Sequence, residues 1–364
     1  MQLSRNIRIV LVISLIFVLG SLDKRIRAGL AASDAVHAQE TSPAPRPPLK
    51  RQSPSPAPDD EEQDRPIGQT AISVSVDLVS LQVLVTDKKG NVIAGLRPEN
   101  FTIYEDDVKQ EISNFSSVEA NVTVVLLVEY SRQVSYFVNE VWNAMYLFAD
   151  SLRPGDWVAV IGYDIRPTII SDFTQNKDEL YNALRRFTYP AFDDSNLSDA
   201  LIDAIDRTED LEGKVAILLI STGLDTFSRH TYDEALERCK ESNASVFAIG
   251  LGQNFRLRAE AAGLISSINN LELLMADNRL RSFAEFTGGA AYFPRFETEL
   301  PSILSNISML LRSQYSIAYA STNTKKDGKY RKIKVEVHTK LTDDKGKPLK
   351  LKVVTRKGYV PRQD

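Results

Sequence analysis

Between residues 122 and 250 the chain repeatedly exchanges short apolar runs for helical periodicity, and few architectures accept that rhythm. The segments 122–128, 157–163, 215–220 and 245–250 are nearly uniform in Val, Ile, Leu, Ala and aromatic residues. They are too short for buried helices, so they predict strands covered on both faces. The segment 168–173 pairs naturally beside the second of them. Helical spacing fills the intervals at 134–152, 177–187, 197–207 and 231–241. Parallel strands need a crossover, usually a helix, so the fold class is α/β: a doubly wound, Rossmann-like domain with a mainly parallel sheet. A late helix and last strand follow at 281–293, with Gly288 and Gly289 ending the helix, and a further helix is expected at 297–311.

On either side the rhythm changes to strict alternation. Residues 73–86, 101–105 and 108–115 alternate apolar and polar positions, with turn chemistry at 87–91 and at Asp106-Asp107. Alternation returns at 314–319, 330–338 and 349–359, with turns at Asp327-Gly328 and Lys345-Gly346. Neither set can bury two faces alone, so the expected arrangement is a small β-sandwich built from segments 71–120 and 313–364, into which the domain 121–312 is inserted.

The N-terminus bears on location. Arg5 and Arg8 precede an apolar run at 9–22, and Ala-Val-His-Ala stands before Gln39. Segment 1–38 therefore reads as an export signal or, because Asp23, Lys24, Arg25 and Arg27 lengthen its final region, as an uncleaved membrane anchor. Either reading places the rest outside the cytoplasm, in the periplasm or cell envelope or secreted. Segment 39–70 is rich in Pro, Ser and charge and is expected to be a disordered linker.

A net charge of -4 gives no basic excess, which argues against nucleic acid as a partner and limits membrane contact to the N-terminal anchor. Cys239 is the single cysteine, so no intrachain disulfide can form; it reads as a small buried helix residue. The three histidines, His37, His230 and His338, fall in no Ser-His-Asp, Cys-His or metalloprotease spacing. Paired acids at 193–194 and 343–344 fit turns, and Gly250-Leu-Gly252 lacks the lysine of a phosphate loop. Catalysis finds no foothold, and the chain is expected not to be an enzyme.

The strand at 122–128 ends on Glu129, with Ser131 and Gln133 at alternate positions after it. That spacing resembles the Asp-x-Ser-x-Ser loop of von Willebrand factor type A domains. Asp194-Ser-Asn-Leu-Ser-Asp-Ala-Leu resembles the family's second loop, and Leu219-Ile-Ser-Thr-Gly-Leu-Asp its third. The whole of 73–361 is similar to an exported bacterial type A related family whose chain closes on Arg-Lys-Gly-Tyr.

The resemblance implies a divalent cation, Mg²⁺ or another, above the sheet, with an acidic side chain of a protein partner completing its coordination. Carried over, the ligand positions are Glu129, Ser131, Gln133, Asp199 and Thr222, so Ser131 alone keeps the family's residue type while every position keeps an oxygen. Glu129 is one methylene longer than the expected Asp, a displacement of about 1.5 Å. Either a degenerate cation site or a polar cluster bonded to itself and to water would answer this pattern. The implied function is an adhesion or protein-interaction module using Ser131, Asp199 and Asp225. The alternative is an assembly factor of the cell envelope that binds through its β domain without metal.

Overall fold

The computed structural model describes residues 46–49, 78–116, 120–132, 134, 138–186, 192–253, 256, 267–342 and 346–361. The proposed signal or anchor, most of the linker and Gln133 lie outside the described residues.

In chain order the strands are β1 (Leu78–Asp87), β2 (Phe101–Glu105), β3 (Val108–Gln110), β4 (Ile112–Ser116), β5 (Val122–Glu129), β6 (Trp157–Tyr163), β7 (Pro167–Thr174), β8 (Lys214–Ser221), β9 (Ser245–Gly250), β10 (Ala291–Tyr292), β11 (Tyr315–Ala320), β12 (Arg331–Val337), β13 (Leu351–Val354) and β14 (Gly358–Tyr359). The helices are α1 (Val138–Ser151), α2 (Lys177–Leu184), α3 (Leu197–Thr208), α4 (Tyr232–Glu241), α5 (Ser267–Thr287) and α6 (Leu300–Ser313).

Strands β5 to β10 form one sheet in the order β10-β9-β8-β5-β6-β7, parallel except for the β6–β7 pair. Every residue of β5, β6, β8 and β9 is buried, which is why these strands read as continuous apolar runs. Their side chains alternate between two cores. Val124, Leu126 and Val128 pack with Phe148 of α1, Leu180 of α2 and Leu304 of α6. Val125 and Leu127 pack on the other face with Leu201 of α3, Cys239 of α4 and Phe283 of α5. Burial pushes the Cys239 thiol up to about 12.

The flanking strands join across the insertion. Strand β1 pairs antiparallel with β11 and β13, giving the sheet β13-β1-β11-β4, and β2 pairs with β12 in the sheet β14-β12-β2-β3. Their shared core holds Leu81, Val83, Ile103, Tyr315, Ile317 and Ile333, so segments from both ends of the chain build one sandwich.

Buried charges organise the sandwich and its junction with the inserted domain. Within the sandwich, Glu105 is 2% exposed and accepts from Tyr319 Oη at 2.8 Å, Tyr359 Oη at 3.1 Å, Ser321 Oγ at 2.7 Å and Arg331 Nη1 at 3.2 Å. One carboxylate thus ties β2, β12, β14 and the end of β11. Arg356, also buried, donates from Nε to Gly358 O, from Nη1 to Ser242 O at 2.8 Å and from Nη2 to Lys240 O. Its guanidinium closes the last turn of α4, where orphan carbonyls and the helix dipole favour a cation. Burial pulls its pKa down to about 10. The Arg-Lys-Gly-Tyr sequence is therefore a clasp between sandwich and inserted domain. Gly288, at φ +78°, lets the end of α5 reach it, since a Cβ there would sit 2.5 Å from Arg356 N.

Where the inserted domain begins and ends, Asp156 accepts from Val122 N at 3.0 Å and from Arg312 Nη2 at 2.8 Å. The first strand of the domain and its last helix are thereby pinned to one carboxylate.

Candidate functional site

The register of the sheet assembles the site. Glu129 ends β5 and stands opposite Tyr163 at the end of β6, while Ser221 ends β8 on the other side. By the period of two, Glu129 shares the face of Val125 and Leu127, Tyr163 that of Ile161, and Ser221 that of Leu219. Three neighbouring C-terminal strand ends therefore aim a carboxyl, a phenol and a hydroxyl at one point below the start of α3.

Glu129 is 1% exposed. Its Oε1 accepts from Ser131 Oγ at 2.6 Å, and its Oε2 accepts from Ser221 Oγ at 2.9 Å, Thr222 N at 2.7 Å and Thr222 Oγ1 at 2.8 Å. Ser221 Oγ in turn accepts from Tyr163 Oη and from Gly223 N, each at 2.8 Å. The extra methylene of glutamate makes this reach possible: the carboxyl crosses from the β5 loop to the β8 loop. Burial raises the Glu129 pKa, although the bonds from Ser131, Thr222 and Ser221 each pull the other way. Tyr163 is pushed well up, first by burial and then by Glu129.

The second loop enters differently from the sequence expectation. Ser195, wholly buried, lies beside the Tyr163 hydroxyl. Asp199 does not join Glu129: its carboxylate accepts from Arg229 N at 3.1 Å, His230 N at 3.0 Å and His230 Nδ1 at 2.8 Å, bonds that hold it below its ordinary pKa. The reason is local. Asn196 caps α3 and Asp199 falls in its first turn on the partly exposed side, turned toward the 228–230 loop. Asp225 is also engaged, accepting from Ser198 N at 3.1 Å and Ser198 Oγ at 2.5 Å, so it holds the N-terminus of α3. Of the expected ligands, Glu129, Ser131 and Thr222 come together, Asp199 stands apart and Gln133 is outside the described residues. Tyr163, Ser195 and Ser221 were missed. Ser221 could have been found from the parity that places it on the face of Leu219, and Ser195 from its place just before the helix cap.

The donor set does not fit a divalent cation. Such an ion wants several anionic oxygens with free lone pairs. Here the cluster holds one carboxyl, both of whose oxygens face donors and whose burial favours the proton. Of the other carboxylates in these loops, Asp199 serves the 228–230 loop, Asp225 holds α3, and Asp194 accepts from Thr226 Oγ1 at 3.0 Å. Among the described residues no group of three or more His, Cys, Asp or Glu is arranged to hold a metal.

Around the cluster the loops are laced by backbone bonds. Arg132 N donates to Phe192 O at 2.7 Å, and Thr226 N and Phe227 N donate to Ser195 O at 2.8 and 2.9 Å. Phe192 and Phe227 are 47% and 56% exposed on this scaffold, and Arg132 faces Asp193 at 3.5 Å.

A doubly wound sheet with its polar cluster at the carboxyl ends of the strands defines a Rossmann-like module, and in open α/β sheets that edge is where ligands generally bind. Residues 123–276 match the model of the von Willebrand factor type A domain, and the chain carries a domain of this family. Among solved structures it resembles proximal thread matrix protein 1 of the mussel byssus at 13% identity and TM-score 0.41, over 53% of this chain and 48% of that one. The chain thus spans about half the length of the mussel protein. A further structure of that protein, at 12% identity and TM-score 0.40 over 53% and 48% of the two chains, is described as having a zinc-occupied MIDAS motif. The von Willebrand factor domain of a type V pili tip protein from Porphyromonas gingivalis is 13% identical with TM-score 0.41, over 53% of this chain and 95% of that one. A von Willebrand factor type A protein from Catenulispora acidiphila is 12% identical with TM-score 0.41, over 78% and 74%. Comparison with curated proteins returns no match.

Proposed function

We propose that this protein is an exported, non-enzymatic protein-interaction or adhesion module that engages a protein partner through the loop face of its type A domain without a metal ion. Type A domains commonly mediate protein–protein contact, which supports the general class. The observation that carries the metal-independent form is the Glu129 carboxyl, whose two oxygens are occupied by donors of its own chain. The same bonds brace the 129–132 and 221–230 loops, so Phe192 and Phe227 stand exposed on a stiff base. Exposed aromatic residues on a preorganised surface are the usual anchors of a protein interface. Export is supported by the charged, apolar and small-residue succession of 1–38. Among the described residues no helix is long and apolar enough to cross a membrane.

The test is capture of envelope proteins on the immobilised chain. Binding that survives EDTA and falls by about tenfold or more in Phe192→Ser/Phe227→Ser supports this reading, in line with the loss of aromatic anchors. Binding abolished by EDTA and restored by Mg²⁺ sinks the metal-independent form. A second reading, contact through the β domain, is favoured by Val108, 54% exposed on the edge strand β3. It predicts that Val108→Ser weakens capture while the double phenylalanine variant leaves it intact.

A further inference from the structure

The Pro-rich segment expected to be a free linker contains one tetrapeptide that is engaged with the folded part. Pro47 is buried, Pro48 O accepts from Glu212 N at 2.9 Å, and Leu49 forms an antiparallel bridge with Leu211. Leu211 is itself 6% exposed and belongs to the second core of the type A domain. The contact has the elements of extended-peptide recognition: a main-chain bond, a bridge that fixes register, and a proline whose restricted φ lowers the entropy lost on docking. Proline suits this role because it needs no N–H partner, while its carbonyl still accepts. Charge agrees in sequence. Leu211 is flanked by Glu209, Asp210 and Glu212, and the docked tetrapeptide begins with Arg46 and is followed by Lys50-Arg51.

We propose that the connection 209–213 is a docking site for an extended basic Pro-Pro-Leu segment, and that residues 46–49 occupy it in the same chain. The consequence is directional. The connection 209–213 leads into the first residue of β8, Lys214, whereas Ser221 at the other end of β8 belongs to the Glu129 cluster. Eight residues of strand separate the two edges by about 25 Å. The docked tetrapeptide therefore sits at the edge of the sheet opposite the loop face and leaves Phe192 and Phe227 clear of it. The value of that orientation for partner capture rests on the function proposed above; the docking itself does not.

Cross-linking in the full chain tests the docking separately from any partner. Residues paired across an antiparallel bridge have Cα atoms close enough for a disulfide. Leu49→Cys with Leu211→Cys is expected to oxidise at least about tenfold faster than Ser55→Cys with Leu211→Cys, since a flexible tether would bring either residue to Leu211 at comparable rates. Cys239 is buried and stays out of the reaction. Because Leu211→Cys could perturb the core, amide exchange supplies a second measurement. In Leu49→Asp, altered only in the tetrapeptide, the Glu212 amide is expected to lose about tenfold in protection while the β8 amides keep theirs. Equal oxidation rates for the two cysteine pairs, or unchanged Glu212 exchange in Leu49→Asp, overturns the proposal. Partner capture that fails while the cross-link forms would reject the functional reading and leave the docking standing.

Discussion

Glu129 Oε2 lies 2.7 Å from the Thr222 amide nitrogen, so the side chain that ends one strand satisfies the backbone that leaves its neighbour. Glutamine can reproduce that geometry: its carbonyl oxygen takes the three bonds at Oε2 and its amide donates to Ser131 Oγ. Glu129→Gln is expected to keep urea stability within about 1 kcal/mol of wild type at pH 5, whereas Glu129→Asp, one methylene short, loses about 2 kcal/mol by stranding buried donors. Equal stability of the two variants would remove the reach across the loops as the reason for glutamate.

The same carboxyl gives a pH signature. Burial holds its folded pKa above the ordinary value of 4.5. The folded state therefore binds the proton more tightly than the unfolded one. Its stabilising contribution is complete below 4.5 and is lost as pH rises through the folded value. Urea midpoints measured upward from pH 4.5 should fall more steeply for wild type than for Glu129→Gln. A steeper fall in the variant would reverse the assigned sign.

In the sandwich, Glu105→Ala leaves the Arg331 guanidinium, 4% exposed at the side chain, without its carboxylate. A loss of about 3 to 5 kcal/mol is expected from chemical denaturation, as for other buried ion pairs missing one partner. Replacing both residues, as in Glu105→Leu/Arg331→Met, should cost less than the single change because no charge is left buried. A double variant as unstable as the sum of the two singles would argue against direct pairing.

The clasp offers a test at a distance. In Gly288→Ala the new methyl meets the Arg356 backbone nitrogen at 2.5 Å and the residue keeps a φ of +78°. A loss of about 1 to 3 kcal/mol is expected, from strain and displacement together. Hydrogen exchange should report it at residues 356–359 as well as at the end of α5. Exchange altered only within α5 would show that the clasp does not feel the helix.

The alternation of strands and helices was legible because a parallel sheet covered on both faces leaves no polar side to its strands. Val122–Glu129 and Lys214–Ser221 announce themselves for that reason. The sandwich halves were legible as alternating strands, and their joining followed from their inability to close alone. The candidate site was less so. Sequence spacing pointed to Glu129, Ser131 and Thr222, which the structure brings together, and to Asp199, which the first turn of α3 turns toward the 228–230 loop instead. Tyr163 comes from a distant segment that only pairing register brings beside Glu129, and Ser195 from a loop that the Thr226 and Phe227 amides hold in place. The docking of residues 46–49 was invisible to composition, since a Pro-rich stretch reads as unfolded until a particular backbone amide, that of Glu212, meets it.

The two-part sandwich also orders events in time. Strand β1 has its partners in β11 and β13, and the Glu105 carboxylate receives its last donor from Tyr359, 254 residues later. The type A domain, by contrast, draws all its strands from one uninterrupted stretch. During synthesis it can close while the N-terminal strands still wait, their edges open, for β11 to β14 to arrive.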